Sequence, residues 1–111
     1  MKRGPKFEAD VIAYLRAEGW DNAERRVMGG SLDRGDVAGI PNVCMELKNT
    51  GVMEMGRAVA EAEKEAKNAG ARWWSVVFKR RRSNISAAYV VIDLEQWSRI
   101  LRILDAAGWM A

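Results

Sequence analysis

Apolar residues recur at helical spacing in "PKFEADVIAYLRAEGW", where Phe7, Val11, Tyr14 and Leu15 share a face and Gly19 offers a C-terminal stop. The period then changes. "AERRVM" reads as a short strand closed by the turn Gly29-Gly30-Ser31, and "DVAGI" and "VCMELK" read as two more around a tight turn holding Pro41 and Asn42. Helical spacing returns in "GVMEMGRAVAEAEKEAKNAG", with Met55, Val59, Ala62 and Ala66 on one side and Gly70 at the end. "ARWWSVVFK" and "AAYVVI" are apolar strands separated by a polar loop. Asp93, followed three residues later by Gln96, is a capping-box signature. It opens a last helix expected to turn Leu94, Trp97, Leu101 and Leu104 inward before Gly108 ends it. The order αβββαββα predicts an α/β domain with a mixed central sheet flanked by helices.

At 111 residues the chain is expected to form a single domain spanning residues 1–111. No apolar run approaches the roughly 18 residues of a membrane helix, and the basic start lacks the apolar stretch of a signal peptide. The single Cys44 has no intrachain partner, so a reducing cytoplasm is the expected location. The absence of histidine excludes imidazole triads and imidazole metal sites. A bound metal would need oxygen ligands, which favours magnesium, manganese or calcium. Five tryptophans exceed what so small an interior hides easily, and Trp109 or the Trp73-Trp74 pair could serve a subunit interface.

The formal net charge is only +3, but it is unevenly spread. Lys2, Arg3 and Lys6 make a basic arm, with residues 1–5 expected to be flexible. Arg25 and Arg26 are adjacent, with Arg25 the one expected to face the site, and Lys79, Arg80, Arg81 and Arg82 form an unbroken basic block. Four of the fifteen acidic residues lie between Glu54 and Glu65. Such polarity suits a polyanion such as nucleic acid, and it also suits a solvated loop beside a solvated helix.

In "VCMELK" the strand period of two sends Val43, Met45 and Leu47 to one face and Cys44, Glu46 and Lys48 to the other. An acid and a base therefore share an exposed or cleft-lining face. Glu65-Ala66-Lys67 has the same spelling but sits on a helix, where it is expected to be solvated surface. Whether Asp36 joins Glu46 and Lys48 depends on register. A two-residue turn puts it opposite Leu47 on the wrong face, so the hairpin is expected to have an odd loop or a bulge. Two carboxylates side by side raise each other's pKa unless a cation lies between them. A divalent ion there, with Lys48 beside it, is the equipment of metal-assisted phosphodiester hydrolysis.

Glu8 in the first helix, "RRVMGGSLDRGD" and "CMELKN" together resemble the PD-(D/E)xK nuclease superfamily. The likeness is closer to the archaeal-type Holliday junction resolvases and their relatives in phages of actinobacteria. It runs from about Lys6 through "VVFKRRR" and shares the element order. It implies a restriction-endonuclease-like core. It also implies a magnesium site, with manganese able to substitute, held by Asp36, Glu46 and the helix-borne Glu8, with Lys48 as catalytic lysine. Ser31 would be the small hydroxyl residue of the Gly-rich loop. Lys2, Arg3, Lys6, Arg25 and Lys79 to Arg82 would contact DNA. The resemblance further implies a homodimer that nicks opposed strands of a four-way junction, working in the host-cell cytoplasm if phage-encoded. Gly35, not the family's usual proline, precedes Asp36. Two alternatives stay open: another nuclease of the superfamily acting on duplex DNA, and a catalytically silent DNA-binding module on the same fold.

Overall fold

The elements occur in the expected order in a computed structural model that describes residues 4–27, 32–51 and 54–111. They are α1 (Gly4–Ala17), β1 (Glu24–Arg25), β2 (Val37–Ala38), β3 (Val43–Lys48), α2 (Met55–Ala69), β4 (Trp73–Phe78), β5 (Tyr89–Val91) and α3 (Leu94–Ala106), with a 3-10 turn at Ile85–Ala87 before β5. Strand β4 is the centre of a mixed three-stranded sheet. β3 lies parallel on one side, from Val43 opposite Trp73 to Lys48 opposite Phe78, and β5 lies antiparallel on the other. Parallel neighbours need a long crossover, and α2 supplies it.

The sheet separates two apolar clusters, because its side chains alternate. Phe7, Val11 and Ile12 of α1 pack with Val37, Leu47 and Val77 on one face. Ala58 and Ala62 of α2 pack with Val76 and Phe78 on the other. The small side chains at 58, 62 and 66 let α2 lie close to the sheet. That approach buries Cys44 and Glu46 and half-buries Lys48, so the face expected to be exposed or to line a cleft lies beneath a helix.

The expected hairpin is not a ladder. β2 pairs antiparallel with β1, Glu24 opposite Ala38 and Arg25 opposite Val37, in a separate two-stranded ribbon. The chain passes β3 with one backbone bond, from Asp36 N–H to Met45 carbonyl at 2.9 Å. Gly39 shows why the ribbon sits as it does: its φ is +90°, and a Cβ there would collide with the Asn22 carbonyl.

Helix α3 also departs from expectation. Leu94 and Trp97 are exposed, at 79% and 45%, Leu101 and Leu104 are half-buried, and Gln96 is its buried residue. Half of the capping box forms: the Asp93 carboxylate accepts from Gln96 N–H at 3.0 Å. The Gln96 side chain does not return to the cap. Its Oε1 accepts instead from Trp74 N–H at 2.8 Å, fastening α3 to the sheet where β5 has left off. Among the tryptophans, Trp20, Trp97 and Trp109 are exposed, and Trp73 and Trp74 are half-buried. No helix among the described residues is long and apolar enough to cross a membrane.

Candidate functional site

The site is built where α2 crosses the C-terminal half of β3. Strand parity sends Cys44, Glu46 and Lys48 toward the helix, as expected from the alternation. Glu46 is 5% exposed. Glu61 and Glu65 lie one helical turn apart on the facing side of α2, and oxygens of Glu46, Glu61 and Glu65 fall within 4.8 Å of one another. Lys48 Nζ donates to Glu61 Oε2 at 2.9 Å.

Asp36 reaches this group without an odd loop or a bulge. Its Oδ2 accepts from Leu47 N–H at 2.7 Å, taking the place of a neighbouring strand's carbonyl along the free edge of β3. From there its carboxylate lies close enough to Glu46 to raise that group's pKa. The preceding Gly35 has φ +96°, and a Cβ on it would stand 2.8 Å from Cys44 Sγ. Proline holds φ near −65°, so this backbone accepts glycine and would not accept the proline that the resembled superfamily usually carries there. Asp33 Oδ1 accepts from Gly35 N–H at 2.9 Å, and Asn68 of α2 donates to the Asp33 carbonyl at 2.8 Å, tying this approach to the helix.

Crowded acids out of water cannot all ionise. Burial first, then hydrogen bonds shared with Asp36 and Glu65, push the Glu46 carboxyl up to about 11. Burial likewise pushes Glu65 up to about 7; a hydrogen bond from Glu46 opposes the rise, and one with Asp33 adds to it. Burial would pull the Lys48 ammonium down, but its bond to Glu61 and the nearby acids outweigh this and hold it above the ordinary lysine value. Cys44 is buried, and burial pushes its thiol up to about 12, helped by Glu65 and Glu46; it is an inert core side chain. Glu65 Oε1 is buried with no amide, hydroxyl or basic group to accept from. Burial and the neighbouring acids thus favour the neutral form of Glu46, whose carboxyl can donate a hydrogen bond to a neighbouring carboxylate. Three convergent carboxylates with an unsatisfied oxygen are a donor set suited to a hard divalent cation.

Of the acids expected to hold metal, the structure brings Asp36 and Glu46 together, with Lys48 beside them. Glu8 is turned to Arg25, 3.3 Å away, and stands outside the three-carboxylate group. That pair occupies Arg25, while Arg26 points inward: it donates to the Val37 carbonyl at 3.4 Å, its charge acts on Cys44, and its Nε is buried without an acceptor. Glu61 and Glu65 are the acids that sequence reasoning missed. Glu65 in particular is 5% exposed, which corrects its reading as solvated helix surface. The available signal was their i, i+4 spacing beside Ala58 and Ala62, the residues that bring α2 to the sheet. Ser31, Lys2 and Arg3 lie outside the described residues.

Basic residues gather at the same end of the sheet. Lys79 N–H donates to the Lys48 carbonyl at 2.9 Å, so the basic block begins where β3 ends. Lys79, Arg80 and Arg82 line an open groove of about 610 Å³ with Ser83, Asn84 and Ser86. The Arg80 guanidinium lies 5.2 Å from the centre of the Tyr89 ring. Arg81, with Lys79 and Arg80, borders a cleft of about 330 Å³ against Asn49 and Thr50. The start of α1 is close by, since Phe7 and Asp10 share a small pocket with Lys79 and Arg80. Lys6 itself is spread on the surface, 3.4 Å from Asp10.

Comparison with protein-family models, curated proteins and solved structures finds no match to this chain.

Proposed function

We infer that the chain is a divalent-metal-dependent endonuclease of the PD-(D/E)xK kind, hydrolysing phosphodiesters in branched DNA as a Holliday junction resolvase. The observation that carries this reading is the convergence of Glu46, Glu61 and Glu65 beneath α2, with Lys48 bonded to Glu61, Asp36 anchored alongside on Leu47 N–H, and the Glu65 Oε1 buried without a partner. Asp36, Glu46 and Glu65 would hold the ion, with Glu61 shared between the ion and Lys48. Magnesium at such a site supplies a Lewis acid for a phosphoryl oxygen and a bound water of lowered pKa.

The remaining roles belong to the chain. Asp36, anchored by the Leu47 N–H, orients its carboxylate along the edge of β3. Lys48 keeps its ammonium charged through Glu61 and offers that charge to the oxygens of the scissile phosphate as negative charge builds there. Lys79, Arg80, Arg81 and Arg82, at the same end of the sheet, would take neighbouring phosphates and fix the position of the backbone without reading bases. The exposed Leu94 and Trp97 of α3, with Val90 of β5, would give a homodimer its apolar contact. Incubating a labelled four-way junction with the protein, in magnesium and in EDTA, tests the reading; it fails if magnesium yields no nicked strands.

A further inference from the structure

At the end of the sheet away from the acids lies a second cleft with no part in the site described above. It is about 560 Å³ in volume and is lined by Asn42, Arg72, Trp73, Arg99, Arg102 and Ile103. Asn42 precedes β3, Arg72 precedes β4 and Trp73 opens it, and Arg99, Arg102 and Ile103 come from α3. Three arginines therefore line one cleft whose lining contains no carboxylate. Arg99 has an exposed partner, Glu95, at 3.7 Å one turn back along α3. Among the described residues, neither Arg72 nor Arg102 has a carboxylate within ion-pair distance.

Like charges lining one cleft repel one another, and such an arrangement is most favourable when an anion joins it. Guanidinium forks match the oxygens of a phosphate group two at a time, which lysines cannot do. The cleft is of a size that admits a nucleotide-sized group. Asn42 adds an amide and Trp73 an indole, which suit the sugar and base beside a phosphate.

Distance relates this cleft to the other basic surface. Lys48 and Lys79 lie at one end of the parallel pair, and Asn42 and Arg72 lie at the other. From Asn42 to Lys48 the chain takes six residue steps, or ~20 Å. The spacing equals about six base pairs of duplex along its axis at ~3.4 Å each. A single small anion cannot reach both ends; a polynucleotide can.

We propose that the cleft formed by Arg72, Arg99 and Arg102 is a second nucleic-acid backbone site, which holds an arm of the DNA at the opposite end of the sheet from the acids. The anion site rests on the geometry of the cleft; the choice of DNA as the anion rests on the nuclease reading. The test is direct binding in EDTA, which needs no catalysis. Fluorescein-labelled four-way junction and linear duplex are titrated by anisotropy at several salt concentrations against wild type, R72A/R102A and R72K/R102K. Circular dichroism checks that each variant is folded, and both substituted side chains lie at the surface of the cleft.

The expected result is a loss of affinity on the order of tenfold for R72A/R102A, with the slope of log affinity against log salt reduced by nearly two. R72K/R102K keeps the slope but loses part of the affinity, because the charge remains and the fork does not. Unchanged affinity and slope in R72A/R102A would overturn the proposal. So would saturation of the cleft by deoxythymidine monophosphate, read by quenching of Trp73 fluorescence and lost in W73F, with no contribution to DNA binding. The two readings fail separately. A protein that never cuts but loses DNA affinity in R72A/R102A keeps this site and loses the nuclease; one that cuts, with binding indifferent to these arginines, does the reverse.

Discussion

Replacing Glu46 with glutamine should make the protein more stable in mildly alkaline solution and flatten its response to pH. Glu46 is 5% exposed, and its native carboxyl is raised from 4.5 to about 11. Below the unfolded value both states hold the proton, and stability does not depend on it. Above that value the unfolded chain releases the proton while the native protein keeps it. Native stability then falls as pH rises, by about 1.4 kcal/mol per unit, until the native group itself ionises. Glu65, raised to about 7, contributes in the same direction but only up to about neutrality. Between pH 7 and 8.5 Glu46 therefore dominates, and the loss over that interval is about 2 kcal/mol. For a domain of this size that lowers Tm by about 8 °C. Glutamine has the same shape, keeps a donor toward Asp36 and Glu65, and cannot ionise. Thermal unfolding followed by circular dichroism at pH 7, 7.5, 8 and 8.5 should show the falling Tm in wild type and a nearly level one in Glu46→Gln. Excess magnesium should level the wild-type line as well, because the ion takes the place of the proton and binds only the folded chain. A wild-type Tm that is flat over this range, or a Glu46→Gln slope equal to wild type, would refute the picture of a proton-holding acid cluster.

Two other substitutions probe how the site is positioned. Gly35→Pro restores the residue the resembled family carries, yet it should destabilise by about 3 kcal/mol or more, since φ +96° is closed to proline; a denaturation midpoint equal to wild type would contradict this. Gln96→Ala strips Trp74 N–H of its acceptor and should cost about 1–3 kcal/mol in urea unfolding, whereas a loss under half of one would mean that α3 is held by other contacts.

The alternation in Val43–Lys48 was legible because strand parity is local: it fixes the side of the sheet on which Cys44, Glu46 and Lys48 emerge, whatever the rest of the chain does. The Asp93 cap was legible for the same reason, being a bond across three residues. The acids of α2 were not. Glu61 and Glu65 look like any solvated i, i+4 pair until the sheet beneath the helix is known, and only Ala58, Ala62 and Ala66 hinted that this face lies close. Asp36 defeated the register argument because that argument counts backbone pairs. Its side chain, not its strand, reaches β3 and caps Leu47. Glu8 shows the converse: its place near the start of α1 suits a metal ligand, but Arg25 on the neighbouring ribbon claims it. Helix α3 has an apolar stripe that periodicity assigns to the interior, while a three-stranded sheet is too narrow to cover Leu94 and Trp97.

The most direct measurement is strand cleavage of a four-way junction labelled on each strand in turn, beside linear duplex of the same sequence, in magnesium, with wild type and Asp36→Asn. The amide keeps the acceptor that Leu47 N–H needs and removes the charge, so the variant preserves the edge of β3 while weakening the ion site. A resolvase using this cluster nicks two opposed strands of the junction symmetrically, leaves the duplex intact, and loses the activity in Asp36→Asn. Equal cutting of junction and duplex would contradict junction selectivity, and a junction left whole by wild type in magnesium would contradict the nuclease itself.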